Sequence, residues 1–99
     1  TKAKDNQFRL TFEGAKSYFI GENSDFSEDK GFALQPWTNV RFENASVILK
    51  YDNATAMGNY FFTQTNGNVV KVEYTFGYFL DSNKDLLINL HHSSLPYSL

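Results

Sequence analysis

Apolar and polar side chains alternate through three strand-like runs, 54–63, 68–80 and 86–94, separated by short turns. Asn66-Gly67 marks a two-residue hairpin, because a type I′ turn needs positive φ at both central positions. That turn sets Thr65 opposite Asn68 and predicts the pairs Phe61–Val72, Asn59–Tyr74 and Met57–Phe76, each sharing a face of the sheet. The next connection runs from Asp81 to Asp85. A four-residue loop would set Leu90 beside Thr75. A five-residue loop pairs Phe76 with Leu90, Tyr78 with Ile88 and Tyr74 with His92, which keeps apolar beside apolar. A slip of one residue would turn the whole strand over, so the five-residue loop is expected.

The face assembled in this way is apolar except for Asn59, Tyr74 and His92. Polar groups turned into an apolar interior are costly unless hydrogen-bonded, so the three mark either an internal network or a pocket for a small polar ligand. His92 titrates near neutrality, and partial burial would push its pKa down, making it a neutral hydrogen-bonding anchor. The opposite face is mixed: Tyr60, Phe62, Lys71, Glu73, Thr75, Phe79, Asn89, His91 and Ser93.

Upstream, Asp5 is a candidate helix N-cap. Phe8, Phe12, Ala15 and Phe19 follow as one apolar stripe at helical period, and Gly21 is a suitable stop. Residues 22–30 are polar and acidic and read as a loop that Phe26 pins down. Phe32 to Leu34 suggest a short edge segment ended by Pro36, and a long strand runs from Trp37 to Lys50 before a turn at Tyr51-Asp52-Asn53. Arg41 and Phe42 compete for the inward position on that strand. The elements predict an α+β domain: one N-terminal helix packed on a curved four-stranded antiparallel meander, with residues 1–99 forming a single domain. A helix about 10–12 Å across cannot cover such a sheet alone, so further N-terminal helices or a second subunit should complete the cover.

Composition narrows the function. The 99 residues carry a net charge of −2 and no Lys/Arg run, which argues against a nucleic-acid partner. Aromatic content is 17%, which argues for an ordered core. No apolar stretch approaches the ~18 residues of a membrane span, so a soluble bacterial protein of cytoplasm or periplasm is expected. There is no Cys. Asn44-Ala45-Ser46 and Asn53-Ala54-Thr55 match the glycosylation triplet, which matters only in a eukaryotic secretory setting. His91-His92 is not a metal pair, since adjacent strand residues point to opposite faces. The acidic loop lacks the spacing of a calcium loop. No cofactor or metal is implied.

The runs Trp37 to Ala45, Ala56 to Thr63, Val70 to Tyr78 and Leu90 to Tyr97 carry a resemblance. They are similar to a family of uncharacterised bacterial proteins with a cystatin-like fold. That family in turn resembles the association domain of calcium/calmodulin-dependent protein kinase II, within the superfamily of nuclear transport factor 2, ketosteroid isomerase and many polyketide cyclases. The resemblance implies a cystatin-like half-cone lacking helices that family members carry before Thr1. The kinase domain lines its pocket with arginines. Its His-Arg-Ser step aligns with His91-His92-Ser93 and a second arginine position aligns with Phe61, so neither arginine is present in this chain. Nothing matches the Asp base and Tyr/Asp oxyanion pair of ketosteroid isomerase.

The resulting expectation is a self-associating module that pairs through its sheet and offers the Asn59, Tyr74 and His92 cavity to a small polar ligand, without catalysis. The alternative is a small isomerase- or cyclase-type enzyme using that cavity.

Overall fold

A computed structural model describes residues 2–99. The chain divides into two compact units, one ending at Pro36 and the other running from Trp37 to Leu99. Together they supply one α-helix and a four-stranded antiparallel sheet, so the α+β class is as expected.

In the first unit, helix α1 spans only Phe12–Ile20. Its N-cap is Thr11, whose Oγ1 accepts the Gly14 N–H at 3.1 Å. Asp5 does not cap it, because the preceding segment is held in a non-helical course. Glu28 accepts the backbone N–H groups of Lys4, Asp5 and Asn6 at 2.6, 3.1 and 3.0 Å. Arg9 donates to the carbonyls of Asn6 and Gly14 and makes a two-pronged pair with Asp29 at 2.6 and 2.7 Å. The expected apolar stripe therefore fails at its start. Phe8 lies before the helix at 81% exposure and Phe12 opens it at 74%, while the helix buries Gly14 and Ser17. Gly21 ends the helix as expected, its φ of 70° and its N–H bond to the Ser17 carbonyl closing the last turn. Within the loop, Phe26 lies beneath the Arg9 guanidinium, 4.3 Å from ring centroid to Cζ. Phe32–Leu34 is a 3₁₀ turn, not an edge strand.

In the second unit, strands β1 (Asn39–Lys50), β2 (Asn53–Thr63), β3 (Val69–Leu80) and β4 (Leu86–Ser94) pair in chain order as an antiparallel meander. The β2–β3 register differs by one residue from the expected one. Gln64 pairs with Asn68, with Gln64 N donating to the Asn68 carbonyl at 2.8 Å and Gly67 N to the Gln64 carbonyl at 3.0 Å. Gly67 has φ of +86°, but Asn66 does not have positive φ, so the connection is a three-residue loop with glycine in the left-handed position, not a type I′ turn. Asn59 consequently faces Glu73, Tyr60 faces Val72 and Phe61 faces Lys71.

The five-residue loop from Asp81 to Asp85 is as expected. The Asp81 carboxylate holds it by accepting the N–H groups of Asn83 and Asp85, and Leu80 pairs with Leu86 and Tyr78 with Ile88. A bulge then inserts Asn89, and beyond it Phe76 pairs with His91 and Thr75 with His92. A second bulge, at Ala45, interrupts β1 between Asn44 and Ser46. Each bulge faces a glycine. A Cβ on Gly58 would lie 2.2 Å from the Glu43 carbonyl oxygen, and one on Gly77 would lie 2.6 Å from Asn89 Oδ1.

Among the described residues the buried apolar side chains belong to one face of β2 and β3: Ala56, Tyr60, Phe62, Tyr74 and Phe76. Phe42, paired with Tyr60, lies on the same face but stays half exposed, which settles the competition on β1 in its favour, and Arg41 goes to the other face beside Phe61. Among the described residues no helix is long and apolar enough to cross a membrane.

Candidate functional site

The two one-residue differences redistribute the expected site. Asn59 and His92 lie on the face of Phe61 and Lys71, with Asn59 opposite Glu73 and His92 opposite Thr75. Tyr74 lies on the aromatic face. The three residues proposed as one cavity thus do not share a face. The hairpin turn moved Asn59, and the bulge at Asn89 moved His92.

The aromatic face gathers a different polar set. Tyr60 and Tyr74 have ring centroids 5.2 Å apart, with Phe42, Phe62 and Phe76 packed around them. The Tyr60 hydroxyl is hydrogen-bonded to Ser93 Oγ. His91 Nε2 is 3.0 Å from the same oxygen. Phenol, serine hydroxyl and imidazole therefore form one continuous chain from β2 to β4. The strand period of two places His91 and Ser93 side by side on that face. The Asn89 bulge selects this face for them. The His91 ring stands edge-on to Phe76, centroids 4.8 Å apart. Burial against such neighbours holds the His91 pKa below the ordinary imidazole value. His91 is thus a neutral acceptor or donor at physiological pH, and its side chain keeps contact with solvent.

Tyr74 donates its hydroxyl hydrogen bond in the other direction across the sheet, to Asn44 Oδ1 on β1. Its pKa is raised by burial, so it stays a neutral donor.

Chemically, the arrangement offers a neutral base, two hydroxyls that can pass or donate protons, and an apolar aromatic floor. Among the described residues no group of three or more His, Cys, Asp or Glu side chains is placed to hold a metal ion. Sequence reasoning grouped Tyr60, His91 and Ser93 together, but on the mixed face, and assigned them no chemistry. The His-x-Ser step on a strand, matching a tyrosine on the same face, was the available signal.

Comparison with known proteins adds the context. The family profile of MICAH, metal-independent carbonic anhydrase, matches residues 1–95. A protein of Nostoc sp. (strain PCC 7120 / SAG 25.82 / UTEX 2576) named metal-independent carbonic anhydrase is 43% identical over 90 residues, covering 91% of this chain and 44% of its own length. The crystal structure of an iota-carbonic anhydrase from a cyanobacterium, complexed with bicarbonate, superposes with a TM-score of 0.91 at 39% identity, covering all of this chain and 60% of that one. The chain thus spans about half the length of these relatives. These matches overturn two expectations: the family is not an uncharacterised one allied to the kinase association domain, and a module without catalysis does not fit relatives that carry an enzyme's name.

Proposed function

The chain belongs to the metal-independent carbonic anhydrase family, and from that premise we propose that it interconverts carbon dioxide and bicarbonate at the Tyr60–Ser93–His91 chain. The observation that carries this reading is the unbroken hydrogen-bonded sequence from phenol to imidazole on the aromatic face.

In the hydration direction, a water oxygen forms a bond to the carbon of carbon dioxide. One C=O π bond opens and leaves negative charge on oxygen. The water loses a proton to Ser93 Oγ as Ser93 passes its own proton to His91 Nε2. The lowered pKa keeps the ring neutral, and the tautomer with its proton on Nδ1 leaves Nε2 ready to accept. Tyr60, donating to Ser93, keeps the serine proton on the imidazole side. Once His91 is charged, its Nε2–H donates to Ser93, and the serine O–H turns to the new bicarbonate oxygen, where a donor held in an apolar site is most effective. His91 then releases the proton to solvent. The floor of Phe42, Tyr74 and Phe76 suits a small apolar gas better than water. Bicarbonate, held by the structural relative in its crystal, is the small polar ligand of this proposal.

The test is stopped-flow carbon dioxide hydration with a chelator present. The protein as isolated should accelerate the reaction. Ser93→Ala should lose about 10²- to 10⁴-fold, the usual scale of positioned acid–base catalysis, with an unchanged circular dichroism spectrum. An intact protein no faster than buffer would end this reading.

The expected pairing of two copies through the sheet belongs to the same proposal. It is supported by the exposed apolar side chains on β1 and β4, including Ile48, Leu49, Leu86 and Ile88. Sedimentation of the intact protein as a monomer at micromolar concentration would remove it.

A further inference from the structure

Ser93 has two tyrosines within reach, and the nearer one by register does not bind it. Tyr74 is the direct cross-strand partner of Ser93. Tyr60 sits one strand further away, on β2, yet its hydroxyl is the one at Ser93 Oγ. The Tyr74 phenol runs the opposite way, over β2 to Asn44 on β1. The two rings thus pass one another at 5.2 Å, each reaching across the other's strand.

We infer that Asn44 is a positioning residue for the reaction: by accepting the Tyr74 hydroxyl it keeps that phenol off Ser93 and leaves the serine to Tyr60. The inference rests on the reading of Tyr60–Ser93–His91 as the reacting chain.

Two features of the fold support it. Tyr74 is 3% exposed, and a buried hydroxyl without a partner is costly, so it must bind something. Without Asn44, the cross-strand serine hydroxyl is the polar group that register sets beside it. The position of Asn44 is itself built. It immediately precedes the β1 bulge, it pairs with Gly58, and the β1 backbone lies so close over Gly58 that no Cβ fits there. Alternation from Phe42 puts Asn44 on the aromatic face, in one cross-strand row with Gly58 and Tyr74, and this row presents the carboxamide to a residue two strands away. Among the described residues Asn44 Oδ1 accepts from Tyr74.

Exchange of partners predicts a rescue that a purely structural role does not. Asn44→Ala should lower kcat for carbon dioxide hydration by about tenfold or more, a part of the acid–base contribution, because Tyr74 then competes for Ser93. Adding Tyr74→Phe to Asn44→Ala removes the competing hydroxyl and should restore most of the rate. Asn44→Asp keeps an acceptor for Tyr74 and should stay near the parent rate. A readout independent of activity is the NMR signal of tyrosine labelled at Cζ. In Asn44→Ala both the Tyr60 and Tyr74 signals should move, and in the double variant Tyr60 should return to its parent position.

A parent-like rate in Asn44→Ala, or no recovery in the double variant, overturns the positioning role. So does an unmoved Tyr60 signal in Asn44→Ala, and the near-isosteric Asn44→Leu, which also removes the acceptor, gives the same reading should Asn44→Ala fold poorly. Failure of the carbonic anhydrase reading shows separately, as a parent protein and a Ser93→Ala variant that hydrate carbon dioxide equally slowly while the tyrosine signals still exchange.

Discussion

The Tyr60 hydroxyl on β2 meets Ser93 Oγ on β4, bridging the full width of β3. Strands neighbouring in a sheet lie about 4.8 Å apart, so only a long side chain lying over the intervening strand can make this contact. Its consequence is that hydroxyls from two non-adjacent strands join one hydrogen-bonded chain with His91.

Tyr60→Phe tests the bridge. The ring packing against Phe42, Phe62 and Tyr74 survives the change, so stability should fall by only about 1 kcal/mol, the net worth of one hydrogen bond. Carbon dioxide hydration should fall far more than stability. Stopped-flow kinetics beside a thermal melt checks the separation.

The pH profile follows from His91. Its folded-state pKa lies below the ordinary value, which is about 6.5. In the proposed mechanism the unprotonated ring is the active form, so the rate should rise with pH through a midpoint below ~6.5 and hold steady at neutrality. The same shift makes the folded state less able than the unfolded chain to bind a proton. His91 therefore costs stability as pH falls below the ordinary imidazole value. His91→Gln should remove the acid limb of the rate profile and this acid penalty together.

The Arg9–Asp29 pair supports the first unit. Their side chains are only 3% and 4% exposed, and Ser17 donates a further bond to Asp29 at 2.6 Å. Asp29→Ala leaves the Arg9 charge buried without its partner and should destabilise the unit by about 3–5 kcal/mol. Hydrogen exchange at α1 should report it. The carboxyl of Asp29 is held below its usual range by the Arg9 hydrogen bonds. Its stabilisation is therefore present above the ordinary carboxylate pKa and lost only as pH falls through the lower folded-state value. Glu28, held down by the backbone N–H groups of Lys4 and Asn6, should release residues 4–6 in the same acid window.

Gly58→Ala should be worse tolerated than its small volume suggests. The new Cβ would meet the Glu43 carbonyl oxygen at 2.2 Å, and that atom is backbone, which cannot swing aside. Overpacking of this kind costs about 1–3 kcal/mol. Gly67→Ala meets no atom within 4 Å and suffers only from its φ of +86°, so its cost should be the smaller of the two. Thermal denaturation of both variants checks the order.

Much of this protein was legible in its residues. Alternation of apolar and polar side chains determined the three C-terminal strands, and Gly21 determined the helix stop, because both depend on local backbone preference. The five-residue Asp81 loop followed from matching apolar pairs. His91 and Ser93 share a face by period alone, and the expected register set Tyr60 with them because its two one-residue errors cancel. Tertiary structure decided which face that was. The Asn66-Gly67 turn took three residues in place of two, and Asn89 bulged out where Gly77 leaves room, so each register moved by one. A shift of one exchanges the two faces of a strand, and neither shift leaves a mark in hydrophobic pattern when both faces carry aromatic residues. The helix start was likewise decided at a distance. Asp5 could cap a helix, but Glu28 and Asp29, more than twenty residues away or nearly so, hold the segment before Thr11 in another course. The site of this protein is therefore set by bulges and long-range polar contacts, which the sequence contains but does not display.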